Sequence, residues 1–208
     1  LTTLQRTFQD LTGPDHEKLE KSKDIINQLQ TASNKIESVI RRVMDFSKPS
    51  HPKLVLTDIN ESIDEAISLS LVTMRKTGIK VDKSLTPNLP ACHADRHLIG
   101  QVILNLITNA AQAMEGCEGQ KKIEITSSEE GNSVVIRVSD SGPGVPTDLR
   151  DKVFDPFFTT KSDSPGIGLS LSHRIVTDHG GTLDVTTSKW GGAEFRISIP
   201  VKGMVENT

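Results

Sequence analysis

Asp140-Ser141-Gly142-Pro143-Gly144, then Phe154-Asp155-Pro156-Phe157-Phe158-Thr159-Thr160-Lys161, then Gly166-Ile167-Gly168-Leu169-Ser170-Leu171: this broken run sets the reading of the whole chain. Two paired-glycine turns flank an aromatic-rich loop that ends in a lysine, and three of the chain's six Phe sit in that loop. Glycine lets backbone approach a flat ligand closely. The second pair opens a helix, where free backbone N–H groups and the helix dipole favour an anion. Lys161 adds a point charge to the same neighbourhood. The expectation is a movable cover over an anionic ligand. Each glycine pair alone is a common turn, so the weight lies in their order and in what precedes them.

Two features precede them. Asp140 ends the apolar strand Val134–Val138, where a carboxylate can accept from an exocyclic amine at the bottom of a pocket. Further upstream, Val102-Ile103-Leu104-Asn105-Leu106-Ile107-Thr108-Asn109-Ala110-Ala111 carries two Asn at i and i+4 in an otherwise apolar run. That spacing stacks both amides on one helix face. Buried amides cost a few kcal/mol unless partnered. Two partners suit them: a hard cation such as Mg²⁺, which takes oxygen ligands and shares them with nucleotide phosphates, or nearby backbone that the amides cap. The glycine turns downstream favour the first.

Working outward, Leu54–Leu56 reads as a short strand, and Asp58 or Asn60 as the cap of a helix that Gly78 ends. Ile79, Val81 and Leu85 alternate as a strand. The Pro87–Pro90 loop leads into a helix over Asp95–Glu115. Two strands around Ile123–Ile125 and Val134–Val138 meet at the polar turn Glu129–Asn132. A helix over Gly168–His179 precedes final strands at Thr182–Thr187 and Ala193–Ile199. Without regular βαβ alternation, this predicts an α+β architecture, an α/β sandwich with helices on one face of a mixed sheet.

The first 47 residues differ. Leu1, Leu4, Phe8 and Leu11, then Ile25, Leu29, Ala32, Ile36, Val39, Val43 and Phe46, step by threes and fours, the seam of packed helices. Gly13 and Pro14 mark the turn between them, and Pro49 and Pro52 end the second helix near Ser47. Two such helices cannot bury their stripes alone. A second copy completing a dimeric four-helix bundle is the simplest partner; packing on the C-terminal domain is the alternative. His16, among acidic and basic neighbours at a helix start, reads as solvated.

Composition limits the remaining possibilities. In 208 residues with 35% hydrophobic, 25% charged and 3% aromatic content, and no Tyr, the core is aliphatic. A net charge of −3 argues against a broad nucleic-acid surface. Two cysteines, Cys92 and Cys117, are too few for a disulfide framework and suit a reducing cytoplasm. No apolar run reaches the roughly 20 residues of a membrane span. The start at Leu1, without Met, suggests a piece of a longer protein.

From about Asp95 to Pro200 these residues resemble the ATP-binding domain of sensor histidine kinases, in the ATPase superfamily shared with DNA gyrase, MutL and heat-shock chaperones. Asn105–Asn109 matches the N box, Asp140–Gly144 the first glycine box, Phe154–Phe158 the F box and Gly166–Leu169 the second glycine box. The short lid ending in Thr159-Thr160-Lys161 resembles the nitrogen-sensor type, and residues 1–50 a dimerisation and phosphoacceptor hairpin ahead of a catalytic domain over 51–208. The resemblance implies that Asn109 holds Mg²⁺ on the ATP phosphates, with Asn105 beside it and Gln112 nearby. It implies that Asp140 binds the adenine amine, that Gly142 and Gly144 admit the base, and that Thr160, Lys161, Gly166, Ile167, Gly168 and Leu169 form the phosphate-side lid. Asn105 and Lys161 would serve catalysis. The implied reaction is transfer of the γ-phosphoryl group of ATP to a histidine, then to an aspartate of a response-regulator receiver domain, in a cytoplasmic homodimer. The alternative is a degenerate kinase-like dimeric adaptor that does not use ATP.

The chain departs from the family's pattern at four places. Gln112 stands where a basic residue is common, Ser170 where a third Gly is frequent, and Ala193 where Thr or Ser often supports the adenine. Leu1-Thr2-Thr3-Leu4 looks like the continuation of the phosphoacceptor box, so the expected acceptor histidine lies upstream of Leu1.

Overall fold

The computed structural model describes residues 22–34, 36, 52–161 and 166–201. The expected first hairpin helix over Leu1–Leu11, the turn with His16, the helix end near Ser47 and the span Ser162–Pro165 lie outside the described residues. The chain divides into two compact units, Leu1–Lys48 and Pro49–Thr208.

In the first unit, residues 22–34 form a helix, as the heptad spacing predicts. Its apolar positions Ile25 and Leu29 are 57% and 64% exposed, and Ile36 is 61% exposed. A stripe of this kind gains nothing from burial within its own helix.

The second unit runs β1 (Val55–Thr57), α1 (Ile59–Lys76), β2 (Lys80–Leu85), β3 (Cys92–Ala94), α2 (Arg96–Ala113), β4 (Lys122–Glu130), β5 (Ser133–Asp140), α3 (Gly168–Asp178), β6 (Thr182–Thr187) and β7 (Ala193–Pro200). Short 3₁₀ turns at Thr147–Leu149 and Lys152–Phe154 lie between β5 and α3. Of the two candidate caps for α1, Asp58 takes the role, accepting from the Asn60 N–H at 2.9 Å. Asn60 turns elsewhere: its amide donates to the Thr86 carbonyl at 2.9 Å and accepts from Ser127 Oγ at 2.8 Å. The helix start is thereby tied to the sheet.

The main sheet has the order β2-β4-β5-β7-β6. Strands β2 and β4 are parallel and the remaining pairs antiparallel, so the sheet is mixed, as expected. Alternate residues of one face, among them Ile125, Ile136, Phe195 and Ile197, join Ile103, Leu106 and Val176 of the helices in one core. The opposite face is polar. There Arg137 and Arg196 both reach the Glu130 carboxylate, at 2.5 and 3.1 Å, and hold its pKa down at about 2. These groups are exposed enough that solvent screening leaves the ladder little weight in stability.

Sequence periodicity misses β3. Three residues are too few to display alternation, and only pairing with β1, in the register Val55↔Ala94, defines the strand. Its end fixes Asp95 as the cap of α2, where Oδ1 accepts from the N–H groups of His97 and Leu98 at 3.0 and 3.2 Å. The β5–β7 ladder, in turn, stops at Ser139↔Glu194, one residue short of Asp140. Asp140 therefore leaves that ladder at the strand's end.

Candidate functional site

Asp140 is 3% exposed. Its Oδ1 accepts from the N–H of Gly142 at 2.8 Å and of Ala193 at 3.2 Å, and no described residue donates to Oδ2. Burial pushes its pKa up, against the pull of those two N–H groups and of Lys161. A buried carboxylate with one oxygen anchored and the other unclaimed is built to accept a hydrogen bond from something else. Ala193, a departure at the side-chain level, contributes through its backbone instead.

The two amides of α2 turn out to do different things. Asn105 donates through Nδ2 to Ser172 Oγ at 2.9 Å, and a Cβ at Gly168 would come within 2.7 Å of its Oδ1. Asn105 thus locks α2 to the first turns of α3, and a side chain at 168 would push the Asn105 amide aside. The side chain of Asn109, one helical turn on and half-buried, makes no hydrogen bond with any described residue. Its oxygen and amide group remain available to a ligand. Ser172 escaped the sequence reading; the signal was a second serine two residues beyond Ser170 on a helix that must face Asn105.

The cover closes on itself. Phe157 donates its N–H to the Gly166 carbonyl at 3.0 Å, and a Cβ at Gly166 would sit 2.5 Å from backbone atoms of Phe157 and Phe158. Gly166 also has a φ of 69°, so two independent constraints require glycine there. Phe157 itself adopts a φ of 67° and is 65% exposed, while Phe154 is half-buried with its ring 5.4 Å from that of His173. Strain at a non-glycine residue of this kind collects at functional loops.

Lys161 donates through Nζ to Gln112 Oε1 at 3.1 Å. Burial lowers its pKa, opposed by Glu115 and Asp140. Gln112, which stands where the family commonly has a basic residue, therefore holds the lysine. Thr160 is exposed and Leu169 half-buried, whereas Ile167, inside the second glycine turn, is only 2% exposed. Unlike α1 and α2, which Asp58 and Asp95 cap, α3 has no side-chain cap at its start. Its first N–H groups are left for an anion, with the helix dipole behind them.

A buried carboxylate for an amine, a free amide one turn from a locked one, and an uncapped helix start beside a lysine together suit a ligand with an amino-bearing ring at one end and a polyanion at the other. Residues 94–203 match the family described as histidine kinase-, DNA gyrase B-, and HSP90-like ATPase, and the chain belongs to that family. Among its relatives, the sensor histidine kinase ZraS of Escherichia coli (strain K12) is 37% identical over 171 residues, covering 81% of this chain and 36% of that protein. Among solved structures, the catalytic domain of histidine kinase ThkA is 34% identical with a TM-score of 0.64, covering 72% of this chain and 96% of the domain. ThkA in complex with response regulator protein TrrA is 30% identical with a TM-score of 0.73, covering 96% of this chain and 55% of that chain. The chain thus spans about a third of the length of the curated relative it matches.

Proposed function

We propose that this chain is the catalytic portion of a sensor histidine kinase, binding Mg-ATP and transferring the γ-phosphoryl group to a histidine for relay to a response-regulator aspartate. The observation that carries the reading is Asp140, buried at 3% exposure, with Oδ1 anchored by two backbone N–H groups and Oδ2 unclaimed by any described residue. Residues 51–208 form the ATP-binding domain and residues 1–50 the dimerisation hairpin, whose exposed Ile25, Leu29 and Ile36 suit a homodimer seam. The ThkA complex with a response regulator supports a receiver domain as the partner. No described helix is long and apolar enough to cross a membrane.

In this reading Asp140 accepts from the adenine amine, and Gly142 and Gly144 leave room for the base. The N–H groups at Gly168 and Leu169, with Lys161, meet the phosphates. Asn105 fixes α3 relative to α2, and so fixes where those N–H groups point. The described residues include no group of three or more His, Cys, Asp or Glu side chains that could hold a metal ion. The unpartnered Asn109 amide fits a Mg²⁺ ion shared with the phosphates, and that ion would neutralise phosphate charge. In the transfer the bond between the β,γ-bridging oxygen and the γ-phosphorus breaks, a bond from an imidazole nitrogen to that phosphorus forms, and ADP leaves. The protein's part in such a reaction is positioning and charge stabilisation, which agrees with a site rich in backbone N–H groups.

Calorimetric titration of Asp140→Asn tests the adenine contact. The substitution keeps the Oδ1 acceptor but presents an amide NH₂ to the adenine amine. ATP binding should be lost with the fold intact by circular dichroism; an unchanged affinity would refute the assignment.

A further inference from the structure

The turn between β6 and β7, Ser188-Lys189-Trp190-Gly191-Gly192, passes against the end of β5. Ser188 is 5% exposed and donates its hydroxyl to the Asp140 main-chain carbonyl at 2.7 Å. The Ser188 hydroxyl oxygen in turn accepts from the Trp190 N–H at 3.2 Å. The Ser188 N–H donates to the Gly192 carbonyl at 2.8 Å, and the Gly191 N–H donates back to Ser188 O at 3.0 Å. The hydroxyl is therefore held inside a closed turn with its donor and acceptor capacity both in use. Because the β5–β7 ladder ends at Ser139↔Glu194, no β7 residue pairs with Asp140 in that register. The serine hydroxyl replaces the missing rung. Two groups then hold Asp140 from the same side: Ser188 its main chain, and the Ala193 N–H its Oδ1, at 3.2 Å. Gly192 packs directly on the Asp140 backbone, so a side chain there would collide with it.

We infer that Ser188 is a positioning residue for base recognition: its hydroxyl sets the Asp140 backbone so that Oδ2 faces the exocyclic amine of the nucleotide. Removing the hydroxyl frees a buried carbonyl and lets the carboxylate drift from its aim, without touching anything that meets the phosphates. The inference rests on the adenine reading of Asp140. It distinguishes two nucleotides that differ along the base edge Asp140 would face: ATP carries an exocyclic amine beside an unprotonated N1, and inosine triphosphate carries a carbonyl beside an N1–H.

The test compares calorimetric affinities for ATP and inosine triphosphate in the full chain, its Ser188→Ala, Ser188→Cys and Ser188→Thr variants, and Asp140→Asn. Trp190 is the chain's only Trp, and there is no Tyr. It lies in the turn that Gly144 approaches, where a Cβ would come within 2.9 Å of the Gly191 carbonyl. Its emission therefore reports whether the turn keeps its native structure. Ser188→Ala should weaken ATP about 5-fold, in the range for loss of one hydrogen bond, and leave inosine triphosphate unchanged. Ser188→Thr should restore the preference. Equal loss for both nucleotides would reduce Ser188 to a structural role, and an unaltered ATP preference would overturn the inference outright. Should Ser188→Ala fail to fold, Ser188→Cys, a weaker donor of similar size, should show an intermediate preference; a wild-type preference there overturns the inference. If Asp140→Asn leaves the ATP preference intact, the adenine reading falls and takes the Ser188 inference with it. If Asp140→Asn abolishes the preference and Ser188→Ala does not, only the Ser188 inference falls.

Discussion

Asp140 and Asn109 share a property at the residue scale: each keeps one polar side-chain group that no described residue satisfies and that a ligand can reach. Folding does not reward that arrangement, and a ligand does. For Asp140 the sign of the pH dependence follows from its raised pKa. Burial disfavours the ionised carboxylate, so its contribution to the stability of the unliganded fold is full below the unfolded value and is lost as pH rises through the raised folded value. Binding runs the other way, because the ionised form is the better acceptor for an amine. Acidification should therefore weaken ATP relative to inosine triphosphate, beginning above the ordinary carboxylate value of roughly 3.9. The ratio removes titration of the phosphates, which both nucleotides share. A ratio flat across this range in calorimetry would show that Asp140 does not meet the base.

Elements matter through their ends. The start of α2 depends on Asp95, which accepts from His97 and Leu98 and also from the Lys53 N–H at 3.1 Å. The Asp95 N–H in turn donates to His179 Nε2 at 3.0 Å, tying the end of α3 to the start of α2. Burial pushes the Asp95 pKa up, but the N–H groups of Lys53, Leu98 and His97 outweigh it and hold the value below the ordinary one. The cap's contribution is thus complete above the unfolded pKa and lost as pH falls through the lowered folded value. Asp95→Ala should cost about 1–2 kcal/mol, the upper part of the range for a lost N-cap, read from urea unfolding at neutral pH. The difference from wild type should shrink in acid. At its own start, α3 lacks such a cap, which leaves its first N–H groups open to the phosphates proposed to bind there.

For the whole molecule, the first unit carries an apolar stripe that its described helix leaves in water, with Leu29 64% exposed. Dimerisation through residues 1–47 would cover it. Light scattering should then give twice the chain mass at micromolar concentration, and Ile25→Asp combined with Leu29→Asp should shift the protein to monomer. ATP affinity should be unchanged, since neither residue belongs to the nucleotide site. A wild-type chain that stays monomeric at high concentration would remove the dimer from the reading.

Local sequence was enough for whatever repeats or turns within a few residues. The 3.6-residue spacing marked the helices, alternation marked β2, and the paired glycines marked turns, of which Gly144 and Gly166 have positive φ and no room for a side chain. Asp140, Asn109 and the uncapped start of α3 were legible for the same reason: each is an exception to a local pattern. What joined these parts was not. Asn105 reaches Ser172 across 67 residues, Lys161 reaches Gln112 across 49, and Ser188 reaches Asp140 across 48. Strand β3, which positions Asp95, exists only through its pairing with β1. These contacts join segments whose own sequences carry no period or spacing that refers to one another. The chain alone supplied the groups proposed to meet a nucleotide; only sheet order and helix packing decided which side chains hold those groups in place.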